Sequence, residues 1–391
     1  MNVVKIQKIA NQVRGVSYKP TDLHDSLNES SVILLRANNI DDGKINFDDV
    51  VYVDKRKVSK EQYLIKGDIL VCASSGSKQL VGKAASVNFD QECTFGAFCK
   101  VVRPQKQFAE YLGKYFQSNT YRSKISAVAL GANINNIRNE HIDSLELNVY
   151  DEEENKDIVQ VISRVQAIID NRRQELQKLD ELIKARFVEL FGDPIVNSMD
   201  WGEELIGDSC FVTKLAGFEY TQYIHYEDSG DVVMVKAQNV KNGKLNRKDL
   251  SYISKEVSDS LPRSQLEVGD VVMTYVGANI GDVAVIDDEY KYHLAPNVAK
   301  IRPNAEKYNS IYFMHMLMFL NSYIVGNSAD TAKAALGMER IRKLKVFFPP
   351  IELQNQFAAF VEQIDKSKVA VQKALEEAQL LFDSLMQKYF G

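Results

Sequence analysis

The chain has 391 residues, 45% of them hydrophobic, with 48 Lys and Arg against 53 Asp and Glu for a net charge of −5. This length suits two or three domains with full cores, and the charge excludes a protein that is basic throughout. The longest apolar run, residues 311–320, falls well short of the roughly 18 residues that span a bilayer and reads as a buried helix. Residues 1–10 are too mixed for a signal sequence, and Cys72, Cys93, Cys99 and Cys210 form no CxxC pair or Cys/His cluster. A reduced, cytoplasmic protein without a zinc site is the expectation.

In chain order, residues 32–36, Asp42-Gly43 and 50–53 predict a strand, a tight turn and a returning strand, since Asp-Gly tolerates the positive φ of hairpin turns. Gly67-Asp68 predicts a second turn leading into an apolar strand. Residues 108–120 predict a helix, and a loop around Gly131 then leads to a closing strand at 145–147. Next, Ile158, Ile162, Val165, Ile169, Arg172, Leu176, Leu179, Ile183, Arg186 and Leu190 alternate steps of four and three. That rhythm predicts a long coiled-coil helix, stopped at Gly192.

The same order then begins again, about 200 residues on, a period too long for a solenoid. Residues 32–46 reappear as 232–246, with Asn242-Gly243 at the turn. Gly67-Asp68 matches Gly269-Asp270, Arg103-Pro104 matches Arg302-Pro303, and Phe191-Gly192 matches Phe390-Gly391. Residues 311–322 repeat the helix, Gly337 the loop and 344–346 the closing strand. Phe357, Val361, Ile364, Lys368, Val371, Leu375, Ala378, Phe382, Leu385 and Tyr389 repeat the seam. The expected division is 1–150 and 194–350 for the globular parts, and 151–193 and 351–391 for the helices.

The fold class is therefore α+β. Two tandem α/β domains are joined by two long helices that form an antiparallel coiled coil, with a pseudo-twofold internal repeat and two similar ligand sites. About 34 helical residues make a rod of roughly 50 Å, which would separate two DNA contacts by about one and a half turns of duplex. Arg172, Arg186 and Lys368 interrupt the seams. They fix register, mark where another subunit docks, or carry their charge from the seam to water.

Charge is uneven along the chain. Residues 1–150 hold 20 basic against 16 acidic side chains, net +4; 151–193 are net −4, 194–350 net −3 and 351–391 net −2. This permits a local basic face for nucleic acid without demanding one. There is no P-loop, no GxGxxG after a strand and no HExxH, and the five histidines are scattered. His141 and His315 read as packed or solvated side chains. No catalytic constellation is present in the sequence, so an enzyme active within this chain is not expected.

Two further motifs stand at the junctions. Phe191-Gly192-Asp193-Pro194 is followed by Asn197 and Trp201-Gly202, while residues 344–350 end in Phe347-Phe348-Pro349-Pro350 ahead of Glu352 and Gln356. With the duplicated domain-and-helix plan, these resemble the specificity subunit of type I restriction-modification systems over essentially the whole chain. One departure is Val149-Tyr150 and the acidic run 151–154 where the second copy has Pro349-Pro350; the acids suit the start of the following helix.

The resemblance implies a non-catalytic reader of double-stranded DNA, with one target recognition domain for each half of a split, asymmetric site. It also implies that the helices set the gap and dock two methyltransferase subunits, which bind S-adenosylmethionine and methylate adenine. Separate motor-endonuclease subunits would use ATP and Mg. No cofactor is expected in this chain itself.

Side chains that read bases or hold phosphates are Arg, Lys, Asn, Gln, Ser and Thr, and three loop regions in each copy are rich in them. Arg36 and Asn39 correspond to Lys236 and Asn239, recurring so closely that a structural or phosphate role is expected. Ser74, Ser75, Ser77, Lys78 and Gln79 stand opposite Thr274, Tyr275 and Asn279. Asn133, Asn135, Asn136 and Arg138 stand opposite Thr331, Lys333 and Arg340. Where the copies diverge, specificity is expected, with Lys78, Gln79, Asn135, Arg138, Lys333 and Arg340 foremost. Two other readings fit the sequence: the recognition subunit of a system whose partner fuses nuclease and methyltransferase, or a coiled-coil protein-interaction scaffold.

Overall fold

A computed structural model describes residues 2–76, 80–129, 136–326 and 335–391, without the side chains of 128 and 129. The chain divides into two compact units, 1–173 with 373–391 and 174–372. Each long helix, Glu152–Phe191 and Ile351–Phe390, is unbroken over 40 residues and contributes to both units.

In the first unit, Ala10–Arg14, Cys99–Pro104, Ile69–Cys72 and Ala84–Ser86 form an antiparallel four-stranded sheet in that spatial order. A second sheet orders Cys93–Phe95, Ser31–Leu35, Val51–Asp54 and Leu23–His24. Ser31–Leu35 pairs antiparallel with Val51–Asp54, as the repeated segment suggests, but parallel with Cys93–Phe95. The Asp42-Gly43 turn does not join those strands directly. It closes a separate two-residue-strand hairpin, Ile40–Asp41 with Lys44–Ile45, where Asp42 has φ 43° and Gly43 φ 71°. Both central residues in the left-handed region match the turn whose twist suits a hairpin. Lys44 and Asp42 reach the central helix through ion pairs to Asp170 (2.8 Å) and Arg173 (3.0 Å).

The helix expected over 108–120 is two helices, Ala109–Tyr115 and Asn119–Ala129. The Ser118 hydroxyl accepts from the Tyr121 amide at 3.1 Å, an N-cap that starts the second. The closing strand, Glu146–Val149, pairs with Asn2–Lys5.

The second unit repeats the plan. Cys210–Lys214, Val298–Pro303, Val271–Thr274 and Val283–Val285 form the antiparallel sheet. Val232–Val235 again has one antiparallel neighbour, Tyr252–Ile253, and one parallel neighbour, Lys291–Leu294. Here a single helix, Ser310–Gly326, replaces the broken pair.

The long helices pack antiparallel within each unit. In the first, Ile158, Val159 and Ile162 share a core with Met386 and Phe390, while Val165 and Ile169 pack with Leu375, Ala378, Phe382 and Leu385. In the second, Ile183, Phe187 and Phe191 pack with Phe357, Val361 and Ile364. Toward the end of each helix the buried stripe widens beyond the four-three seam, taking in Phe187, Phe191, Met386 and Phe390. The last turns enter a globular core there rather than facing a helix alone. Among the seam charges, Lys368 is only 12% exposed and pairs with Asp180 at 2.6 Å, while Arg186 bonds Glu189 and lies over the Phe360 ring. No helix of the described residues is long and apolar enough to cross a membrane.

Candidate nucleic-acid interface

The first loop region is a turn held by its own side chains. Asn39 is fully buried; its side-chain oxygen accepts from the Arg36 amide at 2.8 Å and its amide donates to the Asp49 carbonyl at 3.2 Å. Arg36 donates to the Asp49 carboxylate at 2.9 Å. Asn239 does the same work, accepting from the Lys236 amide at 3.1 Å and donating to the Asn246 carbonyl at 2.9 Å. The Lys236 ammonium donates to Ser251 Oγ at 2.9 Å and lies over the Tyr226 ring. These groups are spent on the turn, which explains why the segment recurs so faithfully.

The second and third regions come together at their bases. In the first unit Ser74 bridges to Asn136, and the Ala73 carbonyl accepts from the Ile137 amide at 2.7 Å. In the second, Val276 bridges to Ala335, and the Tyr275 carbonyl accepts from the Leu336 amide at 2.8 Å. Segments about 60 residues apart in sequence therefore emerge side by side at one end of each antiparallel sheet. Lys78, Gln79, Asn135 and Lys333 lie outside the described residues.

Arg138 and Arg340 are both described but hold different places. Arg138 precedes the helix Asn139–Asp143, is exposed, and donates to Glu140 at 3.3 Å. Its counterpart in the second unit is Gly337, which precedes Met338–Arg342. Arg340 lies within that helix, half-exposed, and corresponds to His141.

Sequence reasoning confined to loops missed cations that the strands deliver to the same end. Arg14 and Lys100 face each other across neighbouring strands. Lys100 donates to Asn139 Oδ1 at 2.5 Å, which ties this pair to the third region. Burial, then the charge of Arg14, hold the Lys100 ammonium below its usual pKa. In the second unit Lys214 ends its strand with its ammonium 5.3 Å from the Tyr275 ring centroid. The signal was available in the repeat: Arg14 and Lys214 stand 200 apart, close to the offset of the other landmarks. Among the described residues, no group of three or more His, Cys, Asp or Glu side chains is placed to hold a metal ion.

Comparison with known proteins agrees with this duplicated plan. The family model of the type I restriction modification DNA specificity domain matches residues 18–181 and again 200–380. The EcoKI specificity subunit of Escherichia coli (strain K12) is 26% identical over 410 residues, covering 99% of this chain and 88% of that protein. The StySPI specificity subunit of Salmonella potsdam is 26% identical over 411 residues, covering 98% and 87%. Among solved structures, the S subunit of the type I system of M. genitalium shares the fold with a TM-score of 0.59 at 14% identity, over 100% of this chain and 96% of that one. The chain belongs to the type I restriction-modification specificity family and carries its DNA specificity domain twice.

Proposed function

We propose that this chain is the non-catalytic DNA-recognition subunit of a type I restriction-modification complex, each unit reading one half of a bipartite target. One observation carries the reading: two units with the same antiparallel four-stranded sheet each bring two loop bases together at one end of that sheet, and these loops diverge in sequence while their supports repeat. A common frame with different loops suits two unlike half-sites, because direct readout depends on which donors and acceptors meet the base edges.

The long helices supply the gap and the docking surface for methyltransferase subunits. Support comes from apolar side chains left exposed on them: Val161, Ile168, Leu380 and Leu381 in the first unit, and Leu182, Val188 and Val369 in the second. Large apolar side chains left exposed along a helix suit a contact with a partner subunit. S-adenosylmethionine, ATP and Mg would be held by the partner subunits.

The test is the salt dependence of duplex binding by the chain assembled with its methyltransferase. Phosphate contacts release counterions, so affinity should fall by several powers of ten, about 10³ or more, between 50 and 200 mM salt. No binding, or binding indifferent to salt, would favour a protein-interaction scaffold.

A further inference from the structure

The two most exposed aromatic side chains among the described residues are Phe98, at 72%, and Phe218, at 65%. One lies in each unit: Phe98 lies at the sheet end where the loop bases meet, and Phe218 follows four residues after a strand that ends there. Phe98 immediately precedes the strand Cys99–Pro104, and its carbonyl accepts from the Ala73 and Ser74 amides at 2.9 and 3.0 Å. Its backbone is thus anchored at the root of the second loop region. In the second unit the matching place is Asn297, whose carbonyl accepts from the Tyr275 amide at 2.9 Å. There the aromatic comes from the neighbouring strand instead. Cys210–Lys214 runs out at this end, and Phe218 follows in the first turn of the helix Gly217–Tyr223.

An exposed phenylalanine loses the favourable burial of a large apolar surface. Placing one at, or just beyond, the same end of each sheet by different strands is not required by the core, which repeats without them. Cations flank both positions: Arg14 and Lys100 stand by Phe98, and Lys214 closes the strand ahead of Phe218. The nearby acids are engaged. Glu140 accepts from Arg138 and Asp143 from Gln12, while Glu219 accepts from the Ala216 amide and pairs with Arg263. An exposed ring with lysine or arginine close by along the strands suits a polyanion with an apolar interior.

We propose that Phe98 and Phe218 are the apolar base-contacting residues of the two units, each pressing its ring on the exposed apolar surface of a base in its own half-site. The inference rests on the DNA-recognition reading and adds to it the residue in each unit that touches a base without hydrogen bonding. Two base surfaces fit this chemistry, the face of an unstacked base and the methyl group of thymine.

The experiment uses the chain assembled with its methyltransferase, in wild-type form and as Phe98→Ala and Phe218→Ala. Methylation is measured on a duplex carrying the motif mapped from genomic DNA. Phe98→Ala should slow methylation roughly tenfold or more, as expected for loss of one base–aromatic contact, and relax discrimination in one half-site; Phe218→Ala should do so in the other. Phe98→Tyr should retain most activity. Replacing thymines by uracil, and placing 2-aminopurine in the half-site, separates methyl contact from unstacking. Wild-type rates and an unchanged motif in both alanine variants would overturn the inference alone. Alanine variants that lose assembly with the methyltransferase but still bind the duplex would also overturn it, by placing the rings in a protein interface. A wild-type complex that methylates no motif would remove the recognition reading as well.

Discussion

Arg103 grips the fully buried Asp68 with both arms of its guanidinium, Nε to Oδ1 at 2.8 Å and Nη2 to Oδ2 at 2.7 Å. Arg302 holds Asp270 in the same way at 2.6 and 2.8 Å. Each aspartate also accepts a backbone amide three residues back, from Ile65 or Glu267, and so shapes the turn before its strand. Gly67 and Gly269 precede the aspartates at φ 96° and 89°, in the left-handed region that favours glycine. Removing the arginine strands a buried carboxylate. Arg103→Ala should destabilise the first unit by about 3–5 kcal/mol, measured by denaturant unfolding. Asp68→Asn combined with Arg103→Met should cost less, and equal losses would show that the pair's charge is not what matters.

The end of each long helix supplies an aromatic plug to a globular core. Phe390 lies 5.1 Å from Tyr111, and Phe191 lies 4.6 Å from Tyr312, ring centre to ring centre. Both tyrosine hydroxyls donate to the closing strand, to the Asn148 and Phe347 carbonyls. Phe390→Ala should cost about 3–5 kcal/mol in the unit formed by 1–173 and 373–391, and Phe191→Ala a similar amount in the other. Hydrogen exchange resolved by segment would assign each loss. Deprotection confined to the opposite unit would contradict the packing.

His315 gives the second unit a pH dependence. Burial pushes its imidazole down to about 4, with Asp365, Lys368 and Asp180 nearby. Unfolded, the ring takes a proton below about 6.5; folded, it resists until about 4. Stability from this group is therefore complete above pH 6.5 and is lost as pH falls from 6.5 toward 4, by about 3 kcal/mol in all. His315→Leu should flatten that part of the stability profile, as read from denaturant midpoints across this range. An unchanged slope would place the dependence in other groups.

Arg138 and Arg340 occupy different places beside their loops, so their loss should have separable effects. Arg138→Ala should relax recognition in one half-site and Arg340→Ala in the other, each by about 1–3 kcal/mol if a base contact is removed. Methylation rates on single-position variants of the target would show it. Unchanged specificity in both variants would leave them as surface cations.

If helix length sets the gap, one heptad inserted after Leu176 and another after Leu375 should lengthen the spacer by about three base pairs, at 1.5 Å per helical residue and 3.4 Å per base pair. Mapping the motif of the double insertion tests this. A spacer of the original length would separate the gap from the helices.

Much of this frame could be read from the sequence because apolar spacing and turn residues act locally. The four-three rhythm of Ile158 to Leu190 and the Asp42-Gly43 and Asn242-Gly243 turns are of that kind. Asp68 and Arg103 stood out separately as repeated landmarks, but 35 residues separate them and no periodicity joins them. The parallel pairing of Cys93–Phe95 with Ser31–Leu35 was hidden for the same reason. At the candidate interface, composition pointed to loops, whereas Arg14, Lys100 and Lys214 ride on strands and reach the site only through sheet pairing. Asn39 and Asn239, whose close repetition points to a structural or phosphate role, each hydrogen-bond within their own turn. Phe98 and Phe218 drew no notice, because only folding reveals which phenylalanines stay exposed.

The most direct test is a map of modified bases in DNA from cells carrying this gene together with a methyltransferase subunit that assembles with the chain, compared with cells lacking the gene. Adenine methylation at a two-part motif with a fixed gap, lost on deletion, is the predicted result. Methylation at the same sites with and without the gene, while the methyltransferase is expressed and active, would contradict DNA recognition by this chain.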